Sequence, residues 1–462
     1  MKKYLGLAAL TTAAALSLTA CGGSGAPAAS SAPTSTGSAA ASTPAGNADK
    51  TLTLWLAGGD TPDALRTYLK DTFKSKTGAT LKIEEQAWPD LVTKMTTALP
   101  DANNTPDVVE MGNTQSPTFT NIGAFTDLSD MFEELGGAKL IPSFVEAGSV
   151  DGKKFTLPYY AGSRYMFQRA DVWKEAGVET PKTLDEFNTA VKTITEKNPR
   201  DIKNFSGFFL GGQDWRNGIS WIFANGGELA KKDGDQWVST LSDPNTLKGL
   251  AQLQDLYKNA SKAPADAKDA TPWLYINDAD QILDEAGKPT GKTSLAAATI
   301  MAPGWAHFSI GDLAKDAKTG KDVREWNDKK FSTLVLPGND GKPAPVLAGG
   351  SNIGISAKSQ NQDLAKDLMR IIFSSEYQDL LGKNGLGPAN SDNNASLGND
   401  EFAKAAIASA SNSKLTPAAQ GWAAVESSMV LEEFFGKIRD AADLEALAKE
   451  YDAKITPQLN LK

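Results

Sequence analysis

At 462 residues, 40% hydrophobic and 22% charged, the chain has the composition of a globular protein and exceeds the roughly 250 to 300 residues at which one core stops growing, so two domains are expected. Its formal charge of −9 comes without a basic stripe, which argues against nucleic acid and anionic lipid as partners. With one histidine, His307, and one cysteine, Cys21, the chain is poorly equipped for Ser-His-Asp or Cys-His catalysis and lacks the parts for an internal disulfide, a thiolate zinc centre or a multi-histidine site. No cofactor or metal is expected.

The first segment, MKKYLGLAALTTAAALSLTA, places Lys2 and Lys3 ahead of a run dominated by Leu, Ala and Thr, the layout of a secretory signal. It is too short and too rich in Ser and Thr for a transmembrane span. Leu18-Thr19-Ala20-Cys21 resembles a bacterial lipobox. That resemblance implies a lipoprotein signal peptide over residues 1–20 and lipidation of Cys21 after cleavage. A two-chain anchor, at roughly 0.8 kcal/mol per buried methylene, holds stably where one chain does not. Residues 21–50 are almost wholly Gly, Ala, Ser, Thr and Pro, with too little apolar bulk to offset ordering entropy. They read as a disordered tether reaching on the order of 30 Å. The anchor is the only membrane contact expected.

The body opens with TLTLWLAGGD, an alternating strand ending at Gly58-Gly59. A helical period follows, with Pro62 near its start and Gly78 at its end. ATLKIEEQ reads as a strand, DLVTKMTTAL as a helix, and PDVVEMGNT as a strand entering a polar turn. This β-α-β-α-β order argues for an α/β fold with a parallel, doubly wound sheet whose ligands sit beyond the carboxyl ends of its strands. Further strands are expected at KFTLPYY, FSGFFLGG, LAAATIM, FSTLVLP and SNIGIS. Further helices are expected at TLDEFNTAVKTITEK, NTLKGLAQLQDLYKNA, DLAKDLMRIIFSSEYQDLLGK and DLEALAKEYDAKI. No repeat suggests a solenoid or propeller. GKPTGKT, residues 287–293, has three residues between its glycines where a phosphate loop needs four. The loop from Asp392 ends on Ala403 where a calcium loop needs a bidentate glutamate.

Taken in order, the lipobox, the tether, TLTLWLAGGD, PDVVEMGNT, PYYAGSRYMFQRADVWKEAG, ANGGEL, MAPGW, LAGGSNIGISAKSQ and GPAN resemble family 1 of the extracellular solute-binding proteins, the sugar-capturing lipoproteins of ABC importers. The resemblance implies two α/β lobes of a type II-like periplasmic-binding-protein fold, joined by hinge strands and closing over a mono- or oligosaccharide that is passed to the permease subunits. It implies a monomer that binds without turnover. Because the chain crosses between lobes more than once, the first lobe is expected over 51–162 plus 337–373 and the second over 163–336 plus 374–462. VVEMGNT and PYYAGSR are similar to binders of amino sugars and chito-oligosaccharides, with maltose, cellobiose and trehalose types as alternatives.

Sugar capture needs aromatic platforms for C–H faces and planar polar groups for hydroxyls. Trp88, before Pro89-Asp90, Trp215, in GGQDWRNG, Trp305, in MAPGW, and Trp422, on a C-terminal helix, are the platform candidates. The last two match positions where the resemblance implies stacking on a ring. Polar candidates are Asp60 in the first loop, Glu110, Asn113 and Thr114 at a strand's carboxyl end, Tyr160 at the first crossing, and Asp214 beside Trp215. Gly350, Ser351 and Asn352 offer close backbone approach and amide chemistry. Arg164 either touches the sugar or pairs with a carboxylate on closure. Two readings compete: a surface glycoside hydrolase, which needs only two carboxylates, and a receptor for a non-sugar solute such as a polyamine.

Overall fold

A computed structural model of the chain describes residues 46–162, 164–268, 271–278 and 295–461; Cys21, the signal, nearly all of the tether and GKPTGKT lie outside them. The first part follows the expected order: β1 (Thr51–Ala57), α1 (Asp63–Thr77), β2 (Thr80–Gln86), α2 (Trp88–Ala98) and β3 (Val108–Gly112). Alternation buries Leu52, Leu54 and Leu56 of β1, while Leu65, Leu69 and Phe73 recur at helical spacing on one face of α1. Gly78 ends α1 in the left-handed region at φ 77°, its N–H closing on the Lys74 carbonyl.

Three later strands complete a six-stranded sheet: β4 (Thr156–Ala161), β8 (Gly350–Ile355) and β9 (Gly387–Pro388), in spatial order β9-β4-β8-β3-β1-β2. Only β1 with β2 and β1 with β3 pair in parallel; β8 runs antiparallel to both β3 and β4. The doubly wound expectation therefore holds for the helix-connected strands and stops at β8, which enters from a distant part of the chain and is free of the crossover geometry that forces parallel pairing.

A second body surrounds a three-stranded antiparallel sheet of β5 (Arg164–Arg169), β6 (Thr299–Pro303) and β7 (Phe331–Leu334), in order β6-β5-β7. It is covered by α3 (Leu184–Lys197), α4 (Trp215–Ala224), α5 (Pro244–Asn259), α10 (Val430–Ile438) and α11 (Leu444–Leu459), with α8 (Glu401–Ser411) and α9 (Trp422–Ser427) nearby. FSGFFLGG forms isolated bridges at Ser206 and Phe209 instead of the expected strand. There Gly207 passes so close to α3 that a Cβ would lie 1.8 Å from the Val191 carbonyl oxygen. The single helix expected over 363–383 is two, α6 (Gln362–Ile372) and α7 (Ser375–Lys383). Ser374, whose hydroxyl accepts from the Tyr377 N–H, caps the second and breaks the first.

Two large cores result. One joins β1, β2 and α1 to Ile353, Leu368, Tyr377, Leu381 and Ala389; the other joins Met166, Phe187 and Trp221 to Leu336, Val346, Leu347, Trp422 and Phe434. The segments expected to cross at 336 and 374 thus stay in one core beyond those points. Hydrophobic period places a face toward a core but does not say which core. Gly162 donates its N–H to the Gly349 carbonyl at 2.9 Å, tying the two chain segments together where each leaves the first sheet.

Candidate ligand-binding site

At the carboxyl end of the first sheet, three residues named from the sequence meet. Asp60, in the loop after β1, accepts from the Trp88 indole N–H at 3.1 Å and from the Tyr160 hydroxyl at 2.8 Å through the same oxygen, Oδ2. Trp88 begins α2, and its ring lies where a Cβ on Gly58 would come within 2.8 Å, so only glycine, at φ 54°, fits beneath it. Asp60 is exposed and Trp88 half-buried, leaving a carboxylate and an indole face accessible together.

Glu110 lies beneath this trio, fully buried on β3. Its Oε2 accepts the Ala57 N–H at 2.9 Å, while Oε1 finds no partner among the described residues. Burial pushes its carboxyl up to about 8, with the Ala57 and Ser351 groups and Arg66 opposing and Asp60 reinforcing the shift. Ser351 sits opposite Gly112 on the same sheet face, its buried hydroxyl beside the Glu110 carboxyl. Asn352 alternates to the other face and donates to the Phe144 carbonyl and Thr156 Oγ1 at 2.9 and 3.1 Å, so its place is in the packing behind the sheet. Asn113 is likewise committed, donating from Nδ2 to the Ala348 carbonyl at 2.9 Å and from its backbone N–H to the Gly350 carbonyl at 3.2 Å.

The second-body candidates divide. Asp214 caps α4, accepting from the Asn217 N–H at 3.1 Å, and Arg164 donates to the Asn217 side-chain oxygen at 3.0 Å; these three form a buried polar cluster within one body. Trp215 and Trp422 are buried, edge to face with centroids 6.2 Å apart, and the Trp215 indole donates to Glu432 at 3.1 Å. Trp305 is different. It is 52% exposed on the turn Gly304–Ser309, its ring edge-on to Trp273 at 4.8 Å, an open aromatic surface on a supported base.

Thr114, beyond β3, reaches Glu426 of α9 at 3.5 Å, so the first sheet and the second body touch here. Arg216 stacks 4.5 Å over Trp215 and faces Glu426 and Glu432 at 3.9 and 3.8 Å. Sequence reasoning missed Arg216, Glu426 and Glu432. A signal existed: Glu426 follows Trp422 by one helical turn, and Arg216 adjoins Trp215.

Residues 58–379 match the model of a family described as bacterial extracellular solute-binding protein. The chain belongs to that family. Among curated relatives, the diacetylchitobiose binding protein DasA of Streptomyces coelicolor is 35% identical over 387 residues, covering 83% of each chain. Of solved structures, the sugar-binding protein MalE of Xanthomonas citri superposes with TM-score 0.72 at 20% identity, over 89% of this chain and 97% of that one. The GacH receptor of Streptomyces glaucescens gives TM-score 0.65 at 19% identity over 89% and 98%. These likenesses establish the two-lobe fold that the sequence led one to expect. As an extracellular solute-binding protein, the chain places the Asp60–Trp88–Tyr160 trio at the strand ends where ligands of α/β sheets gather. No described helix is long and apolar enough to cross a membrane.

Proposed function

We propose that this solute-binding protein is the carbohydrate receptor of an ABC importer, held to the outer face of the membrane through lipidated Cys21, and that its ligand is a short amino-sugar oligosaccharide of the diacetylchitobiose class. The observation that carries the reading is the Asp60 carboxylate oriented by the Trp88 and Tyr160 donors. A carboxylate held in place accepts from vicinal hydroxyls, and the adjoining indole offers a face to ring C–H groups. The similarity to DasA supports the amino-sugar class over the maltose class. The lobes are read as crossing near Gly162, Gly349 and Gly398, on the packing of the two cores. Ligand would favour the closed arrangement, and that form would engage the permease.

A thermal-shift and calorimetric panel of diacetylchitobiose, cellobiose and maltose, with product analysis, tests this. Diacetylchitobiose should raise the melting temperature and be recovered intact; cleavage would make the protein a hydrolase, and silence across the panel would exclude these sugars. Trp305→Ala should lower affinity by about 1 to 3 kcal/mol with an unchanged melting temperature, because the side chain stands clear of the core. Unaltered affinity removes Trp305 from the site.

A further inference from the structure

Between the first sheet and the second body lies a group of polar side chains whose hydrogen bonds are incomplete. Trp422 is fully buried, and its indole N–H lies against the Glu426 carboxyl, favouring its ionised form without closing a full hydrogen bond. Glu432 is 7% exposed, and while Oε1 takes the Trp215 indole N–H, Oε2 has no hydrogen-bond partner among the described residues. Arg216 stands 3.9 Å from Glu426 and 3.8 Å from Glu432, beyond hydrogen-bond distance, and the Thr114 hydroxyl reaches Glu426 only at 3.5 Å. Burial raises the Glu426 carboxyl above its ordinary range, with Arg216, Trp422 and Thr114 opposing and Glu432 reinforcing the shift. Buried polar atoms are almost always paired, so incompletely paired ones converging on one place point to a polar partner that completes them.

We infer that Arg216, Glu426, Glu432 and the Trp422 indole N–H form an acetamido-recognition subsite that sets the preference for N-acetylated over plain sugars. The inference rests on the carbohydrate-receptor reading above. An acetamido group presents an N–H donor, a carbonyl acceptor and a methyl side by side. The carboxylates accept the N–H, and the guanidinium and indole donate to the carbonyl. A hydroxyl must donate and accept through one oxygen, whereas the acetamido group does so from two separated atoms that span from the carboxylates to the guanidinium, and a site spaced for that group discriminates against the analogue lacking it. Because Thr114 belongs to the first lobe and Glu426 to the second, filling the subsite also draws the two together.

The test is calorimetry of the full chain with diacetylchitobiose and cellobiose, which share a β-1,4 backbone and differ in the acetamido groups. The wild type should prefer diacetylchitobiose, and Glu426→Gln should reduce that affinity at least tenfold while changing cellobiose binding less than threefold. Arg216→Ala, at a side chain 40% exposed, serves as the second variant should Glu426→Gln fail to fold. Equal loss for both sugars, or none for either, overturns the subsite and leaves the receptor reading standing. A wild type that binds neither sugar overturns both.

Discussion

Glu110→Gln should raise stability at alkaline pH and abolish a pH dependence that the wild type shows. The Glu110 carboxyl is fully buried and pushed up to about 8 from an ordinary value of 4.5. Below the ordinary value the group is protonated whether the chain is folded or not, and contributes nothing to the slope. Between the two values the unfolded chain ionises while the folded one keeps its proton, so stability falls as pH rises. Above about 8 both forms are ionised and the full penalty is present, roughly 4 to 5 kcal/mol at most. Asp60, Arg66, Ser351, Tyr159, Tyr160 and Tyr377 surround the carboxyl, and the three tyrosines are themselves held neutral by burial. Glutamine keeps the acceptor for the Ala57 N–H and cannot ionise. Melting curves of both proteins from pH 5 to 9 decide the matter: the wild type should lose stability relative to the variant with rising pH, and parallel profiles would sink the assignment.

Gly350→Ala is expected to destabilise by about 2 to 4 kcal/mol and to weaken ligand binding together. Gly350 holds φ 124°, a region closed to alanine without strain. An added Cβ would lie 2.2 Å from the Tyr160 carbonyl oxygen, a backbone atom that cannot move without β4. Tyr160 is the residue whose hydroxyl orients Asp60, so relief of the clash displaces the carboxylate that we propose faces the ligand. Urea midpoints and sugar titrations of the variant measure both effects. Gly59→Ala, where a Cβ meets nothing within 4 Å, is the stability control. A Gly350→Ala midpoint matching that control would refute the steric argument.

Much of the first lobe was legible because its determinants are local. The alternation in β1, the helical spacing in α1 and the glycine that ends it each follow from a few consecutive residues. Asp60, Trp88 and Tyr160 could be named individually, since each lies at or near an element boundary on the side of the sheet where ligands of α/β folds gather. Their convergence on one oxygen could not, because it depends on the order β4-β8-β3-β1.

The second lobe was read less well, for a related reason. Trp215 and Trp422 have the composition of platforms, but whether an indole is open or buried depends on what folds over it, and both are covered while Trp305 is not. Strand alternation turns Asn352 behind the sheet while Ser351 shares a face with Glu110. Arg216 and Glu426 look in sequence like ordinary solvated charges on helices.

By itself, then, the sequence determined the export signal and tether as expectations, the β-α-β-α-β start, the family resemblance and the chemical types available for a sugar. All but the resemblance, which rests on the order of motifs along the body, are written in composition or in spacings shorter than one helix. The tertiary structure alone decided which core holds Leu336–Leu347 and Tyr377–Ala389, which tryptophans are buried, and that Thr114 meets Glu426 across 312 residues of chain. Those outcomes depend on long-range packing, in which burial and partner are fixed only when distant segments close on one another.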